Sequence, residues 1–193
     1  MIHLIPKEVS NNEELQQIAA LSLANNAADL TADEKAKEGF LTWSYQLPVL
    51  QELHKVVPSI IVKDGDKVAG YALVLTHDAA PIYEPLQDMI RVLNPILYAG
   101  KPLSEHNFYI MGQICVHPDY RGKGVFQLLY DYHRERYAAH YDFLLTEIAV
   151  TNFRSQRAHE RTGFRTIHTH TDKFGDWDIV VWDRGHGFTT RKP

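Results

Sequence analysis

The sequence predicts an α/β domain, a mixed sheet with helices on both faces. Two observations carry that expectation. Runs of β-branched and aromatic residues alternate with helical periodicities in the order strand, two helices, three strands, helix, strand, helix, two strands. The composition, 45% hydrophobic and 23% charged over 193 residues, is close to a globular average. A domain of roughly 150 residues already buries about 70% of its unfolded surface, so a core without covalent staples is expected. Residues 1–183 are assigned to one domain and 184–193 to a polar, loose tail.

The first strand is placed at Ile2–Ile5. Ser10 precedes Glu13 by three residues, a capping-box pattern for a helix start. Leu15, Ile18, Ala19 and Ser22 make one face of that helix, which is drawn to about Leu30. Residues 31–45 hold Phe40, Trp43 and Tyr45 but no clear period. A second helix is expected from Pro48, tolerated in a first turn, to Val57. Ile60–Lys63 and Asp66–Leu75 flank Asp64-Gly65, which reads as a type I′ hairpin turn.

Residues 78–106 contain four prolines and a helix over Tyr83–Leu97. Connections of this length often wall a binding site. A strand follows over Phe108–Val116 and a helix over Gly122–Ala139. That helix carries two adjoining apolar stripes, so it should be buried on two sides. Phe143–Val150 is a strand, and Asn152 opens a helix that Gly163 ends. Phe164–Thr171 and Asp178–Trp182 are the closing strands.

The most informative residues are Arg121-Gly122-Lys123-Gly124, between a predicted strand and a predicted helix. Amides at a helix N-terminus have no internal partner and carry partial positive charge. Glycines let a large anion come close, and two basic residues add charge, a combination suited to a pyrophosphate. A P-loop would need Ser or Thr after the lysine, and a dinucleotide fingerprint a third glycine.

Gln113-Ile114-Cys115-Val116-His117-Pro118-Asp119-Tyr120-Arg121-Gly122-Lys123-Gly124 resembles the acetyl-CoA-binding motif of the GNAT superfamily of N-acetyltransferases. Asn152 through Phe164 resembles the later helix of that family, with Asn at its start and Gly-Phe at its end. The element order fits from about residue 1 to 182, although the first 50 residues match no motif. The resemblance implies a GNAT fold with acetyl-CoA as acyl donor and no metal. It implies pantetheine contacts from Ile114, Cys115 and Val116. Arg121, Gly122, Lys123, Gly124, Val125 and Phe126 would hold the pyrophosphate, with Asn152 and Ser155 also at the cofactor. Phe126 departs from the family, which commonly has Gly or Ala there.

Two residues are candidates for the chemistry. His159 stands where many members have a tyrosine that protonates the leaving thiolate, and imidazolium titrates near neutrality. Glu147 lies in an apolar strand, where burial can raise a carboxylate toward the range of a general base. Gln113 and Tyr109 are weaker polar candidates. Cys115, a lone strand cysteine, reads as a small hydrophobe, which favours direct transfer in a ternary complex over an acyl-enzyme. His168 and His170 share a strand face without a ligand set for a metal. Trp177 and Trp182 read as sheet-end packing.

A formal net charge of -4 gives no reason to expect a nucleic-acid partner. One cysteine excludes an internal disulfide, and no long apolar run suggests a membrane partner, so a cytoplasmic location is expected. The expected function is transfer of an acyl group, taken as acetyl, to the primary amine of a small molecule or of a protein or peptide. A homodimer is compatible with this reading. Two alternatives stay open: a non-catalytic acyl-CoA-binding sensor or scaffold, and an RNA-phosphate binder using Arg121 and Lys123.

Overall fold

The computed structural model describes residues 3–26, 40–42 and 44–189. Among these, seven strands form one sheet in the order β1-β2-β3-β6-β7-β9-β8. The strands are β1 (Leu4–Glu8), β2 (Ile60–Asp64), β3 (Lys67–Leu75), β6 (Phe108–Val116), β7 (Phe143–Ala149), β8 (Arg165–Asp172) and β9 (Gly175–Asp183). The short strands β4 (Leu97–Tyr98) and β5 (Lys101–Pro102) pair separately. The helices are α1 (Asn12–Ala24), α2 (Leu47–Val56), α3 (Glu84–Leu93), α4 (Val125–Tyr137) and α5 (Phe153–Thr162). All pairings in the large sheet are antiparallel except β6 with β7.

The sheet is covered on both faces, and strand alternation sorts its side chains between two cores. Phe143, Leu145, Ile179 and Val181 join the core that holds the α1 and α2 residues Leu15, Ile18, Leu50 and Leu53. Their neighbours Leu144, Val180 and Trp182 face the opposite core, with Val125, Leu129 and Tyr130 of α4. Helix α4 is buried on two sides as its stripes require. One side meets the sheet, and the other meets α5 through Tyr130 and Phe126, whose rings lie against His159.

Several boundaries differ from the sequence expectation. The first strand is Leu4–Glu8, shifted toward the C-terminus, and pairs with β2 along its whole length. The cap of α1 is Asn11 rather than Ser10. Its side chain accepts from the Glu14 amide at 3.0 Å, and Glu14 Oε2 accepts from the Ser10 amide at 2.8 Å. The cap therefore lies one residue later than expected, and the return bond from Glu14 goes to the Ser10 amide rather than to that of the cap residue. Helix α1 ends at Ala24 with Asn25 as its cap; residues 27–30 and Trp43 lie outside the described residues. The hairpin turn is centred on Gly65-Asp66, since Asp64 pairs with Lys67. Gly65 has φ +58° while Asp66 is not at positive φ, the pattern of a II′ turn. Helix α3 stops at Leu93, before Pro95, and Leu97 belongs to β4.

Of the tail 184–193 expected to be loose, the described part, residues 184–189, is anchored, and residues 190–193 lie outside the described residues. Trp182 Nε1 donates to the His186 carbonyl at 2.8 Å, and Phe188 is fully buried against Trp182 and Tyr109. Burial of one large aromatic and the hydrogen bond from Trp182 offset part of the chain entropy that ordering this turn costs. This anchor leaves no room at Gly163, the αL cap of α5. A Cβ there would lie 2.4 Å from the His186 carbonyl oxygen, at φ +114°. Gly163→Val is expected to lower stability by about 3 kcal/mol, through backbone strain and displacement of the anchor. Urea denaturation checks this, and an unchanged midpoint would contradict the packing described. Among the described residues no helix is long and apolar enough to cross a membrane.

Candidate active site

The site begins where two strands separate. Strand β6 pairs with β7 only over Phe108–Ile110 and Phe143–Leu145. Beyond that, Met111–Val116 and Thr146–Ala149 diverge, with Thr146 Oγ1 donating to the Met111 carbonyl at 2.8 Å near the start of the split. Backbone polar groups of both strands beyond the split lose their partner across it, which leaves them for a ligand.

A groove of about 690 Å³ opens from the split toward the N-terminus of α4. Ile114, Cys115, Val116, Arg121, Gly122, Gly124, Val125, Phe126, Asn152 and Ser155, all expected at the cofactor, line it. Gly122 and Gly124 have φ +73° and +82°, and a Cβ on either would meet nothing within 4 Å. This turn is therefore an open cradle held by left-handed backbone, with the first-turn amides of α4 beside it. Its shape and partial charge fit a diphosphate.

The cationic groups are arranged differently from the sequence expectation. Lys123 does not line the groove; its Nζ lies 5.4 Å from the centre of the Tyr120 ring. Arg121 lines it, but its guanidinium also donates to Asn25 Oδ1 at 2.8 Å, tying the loop to the end of α1. Arg154, Arg157 and Arg161 of α5 line the groove too. Sequence reasoning missed these three. Their spacing of three and four residues on the helix after the second motif was the signal for a single basic face.

A smaller cavity of about 130 Å³ lies on the far side of the split. Phe40, Leu41, Ile114, Asn152 and Ser155 border both spaces. Glu147 and His159, the two candidates for chemistry, line the smaller one with Gln113. Phe40, Leu41, Thr42 and Tyr45 and the 78–106 connection both contribute to its wall, the latter through Tyr83, Leu86 and Met89 among others. Trp177 lines it as well, with Nε1 donating to Asp172 Oδ1. Tyr109 reaches neither space; it is buried beneath α4 and bonded to His133.

His159 is only 1% exposed and has partners on both nitrogens. Nδ1 lies 2.7 Å from the Ser155 carbonyl and Nε2 2.6 Å from Tyr130 Oη. A carbonyl can only accept, so Nδ1 carries the proton and Nε2 accepts from the tyrosine. Burial lowers the imidazole to about 4. The ring is neutral near pH 7, and the imidazolium expected as proton donor is not available there. Ser155 Oγ, 3.3 Å from Nδ1, borders both spaces.

Glu147 is largely buried, which raises its carboxyl above the usual range. His170 opposes this, with Nε2 3.1 Å from Glu147 Oε1. Gln113 Oε1 accepts from Ser22 Oγ at 2.8 Å and from Tyr71 Oη. Asn152 caps α5 by accepting from the Ser155 amide and donates to the Phe40 carbonyl at 3.0 Å. Burial pushes the Cys115 thiol up to about 12, so no thiolate is present at neutral pH. Among the described residues no cluster of three metal-ligating side chains occurs.

Comparison with known proteins agrees with this architecture. The family model for the acetyltransferase (GNAT) family matches residues 24–164. No curated protein matches the sequence. Among solved structures, the ribosomal-protein-S18-alanine N-acetyltransferase of Escherichia coli is similar at TM-score 0.61 and 12% identity, covering 94% of each chain. Ard1 from Thermoplasma volcanium has TM-score 0.64 and 11% identity, covering 93% of this chain and 97% of its own. A chain of the NatC complex bound to Gag peptide and CoA has TM-score 0.63 and 16% identity, covering 94% and 99%. At these identities the structures share the fold, and the family match spans most of the sequence. The chain belongs to the acetyltransferase (GNAT) family.

Proposed function

We propose that this protein transfers an acyl group, acetyl in the simplest case, from acyl-CoA to a primary amine by direct attack in a ternary complex. The observation that carries this reading is the pair of connected spaces. The long groove runs from the Gly122–Gly124 cradle along Ile114–Val116, and the smaller cavity meets it at Ile114, Asn152 and Ser155. The diphosphate would lie in the cradle and the pantetheine arm along the free backbone of β6, bringing the thioester to the junction.

In this reading the amine nitrogen bonds to the thioester carbon as the carbon–sulfur bond breaks. Glu147 accepts the proton that the amine must lose, a task its raised carboxyl suits. Ser155 Oγ borders the junction, and its neighbour His159 already donates Nδ1–H, so the serine hydroxyl hydrogen is available to the departing sulfur. His159 then positions Ser155 and Tyr130 rather than acting as the acid.

The neutral Cys115 thiol argues against an acyl-enzyme. Cys115→Ala is expected to keep turnover within about 3-fold, because only a small apolar contact is lost. Initial velocities, read by release of CoA thiol, should give intersecting double-reciprocal lines. Parallel lines, or an inactive Cys115→Ala protein that still folds, would contradict direct transfer. The neutral His159 at the usual tyrosine position also motivates a second reading, a non-catalytic acyl-CoA module. Tight CoA binding without turnover of any amine would favour it. We place the protein in the cytoplasm, where its one buried thiol would stay reduced.

A further inference from the structure

We propose that the acceptor is an apolar primary monoamine, carrying an aryl or branched alkyl group and no carboxylate, held in the smaller cavity with its nitrogen toward Glu147. The inference rests on the acyl-transfer reading and adds the substrate class to it.

Charge is the first argument. Among the described lining residues Glu147 is the only acidic side chain, and no lysine or arginine accompanies it. His170 occupies Glu147 Oε1, and Oε2 makes no hydrogen bond to a described residue. One carboxylate oxygen therefore remains for one ammonium group. An amino acid would bring a second carboxylate into a space whose described lining offers it no lysine or arginine, and an unpaired buried charge is costly.

The walls are the second argument. Tyr45, Tyr83, Leu86, Met89 and Trp177 line the same cavity as Glu147 and give it apolar and aromatic surface. The Tyr45 and Tyr83 rings stand 5.2 Å apart. Aromatic faces attract an ammonium ion and an aryl group alike. At about 130 Å³ the cavity is somewhat smaller than the ~150 Å³ of an apolar cavity that holds a benzene ring, so it limits the acceptor to one ring-sized or branched group.

Hydrogen-bonding capacity is the third. A peptide acceptor brings backbone amides that must be satisfied when buried. Two of the polar side chains here are already engaged: Gln113 Oε1 accepts two hydroxyls, and Asn152 caps α5 and holds the Phe40 carbonyl. The NatC neighbour was captured with a peptide. In this chain Pro85, Leu86 and Met89 of α3 and its cap Tyr83 stand at the cavity.

The test compares 2-phenylethylamine, phenylalanine and a tetrapeptide with a free N-terminus, each with acetyl-CoA, by kcat/KM. Phenylalanine differs from 2-phenylethylamine only by its carboxylate. The amine is expected to exceed both others by at least about 100-fold, since the site disfavours a second anion and unpaired amides. Glu147→Gln should raise the KM for the amine at least about 10-fold while leaving CoA affinity by calorimetry unchanged. Equal or better turnover of phenylalanine or the tetrapeptide would overturn the inference, as would CoA binding with turnover of none of the three. Failure to bind CoA at all would instead overturn the acyl-transfer reading.

Discussion

Gly124→Glu is expected to weaken CoA binding by at least about 100-fold, equivalent to about 2.7 kcal/mol, with the fold retained. The new carboxylate would stand at the open cradle before α4, where the proposed ligand carries its diphosphate. Its charge opposes the ligand and competes for the same first-turn amides. Nothing lies within 4 Å of a Cβ built at this position, so the side chain fits without a clash. The φ of +82° adds strain to any residue other than glycine. Gly65→Glu separates the two effects. Gly65 has φ +58° and equally open surroundings, but it lies in the β2–β3 hairpin turn and lines neither space. Its variant should carry similar strain and bind CoA normally. Calorimetry on both proteins decides. Unchanged affinity in Gly124→Glu would remove the cradle from the cofactor site.

The second large effect is a loss of stability in mild acid. His133 and His159 are fully enclosed, and burial lowers them to about 3 and about 4. His133 shares Nδ1 with Tyr109 at 3.1 Å, while its Nε2 has no partner among the described residues. In the unfolded chain both rings would titrate near the ordinary value of about 6.5. Between that value and the folded values, the unfolded state binds protons that the native state refuses. Stability is therefore full above about pH 6.5 and falls as pH drops toward 4, by about 1.4 kcal/mol per pH unit for each histidine. Glu147, raised by burial, contributes with the opposite sign and offsets part of this. Denaturation midpoints at pH 7, 6, 5 and 4 should decline across the series. His133→Phe should flatten the decline by removing one of the two proton sinks, although Tyr109 then loses a partner. A profile level down to pH 4 would show that these rings can charge in place.

Much of the groove proposed for the cofactor is legible in the sequence. The amides beside Gly122 and Gly124, the Asn152 cap and the Gly163 terminus depend on residues within one turn of each other, so local chemistry specifies them. The capping shift from Ser10 to Asn11 shows the limit of that logic, because both residues can cap and only the docking of β1 selects between them. The proposed acceptor end was legible only as the 78–106 connection, with no indication of which residues would meet.

The sequence by itself determined the order of elements, the strand–loop–helix cradle and the absence of an internal disulfide. Each of these follows from composition or from the spacing of near neighbours. Tertiary structure alone decided that β6 and β7 separate after three paired positions and that Arg154, Arg157 and Arg161 face the groove in place of Lys123. It also decided that Phe188 closes the core and that His159 is neutral. The His159–Tyr130 bond joins residues 29 apart and the Glu147–His170 bond residues 23 apart. A side chain's proton affinity is set by what surrounds it after folding, and no local pattern carries that information.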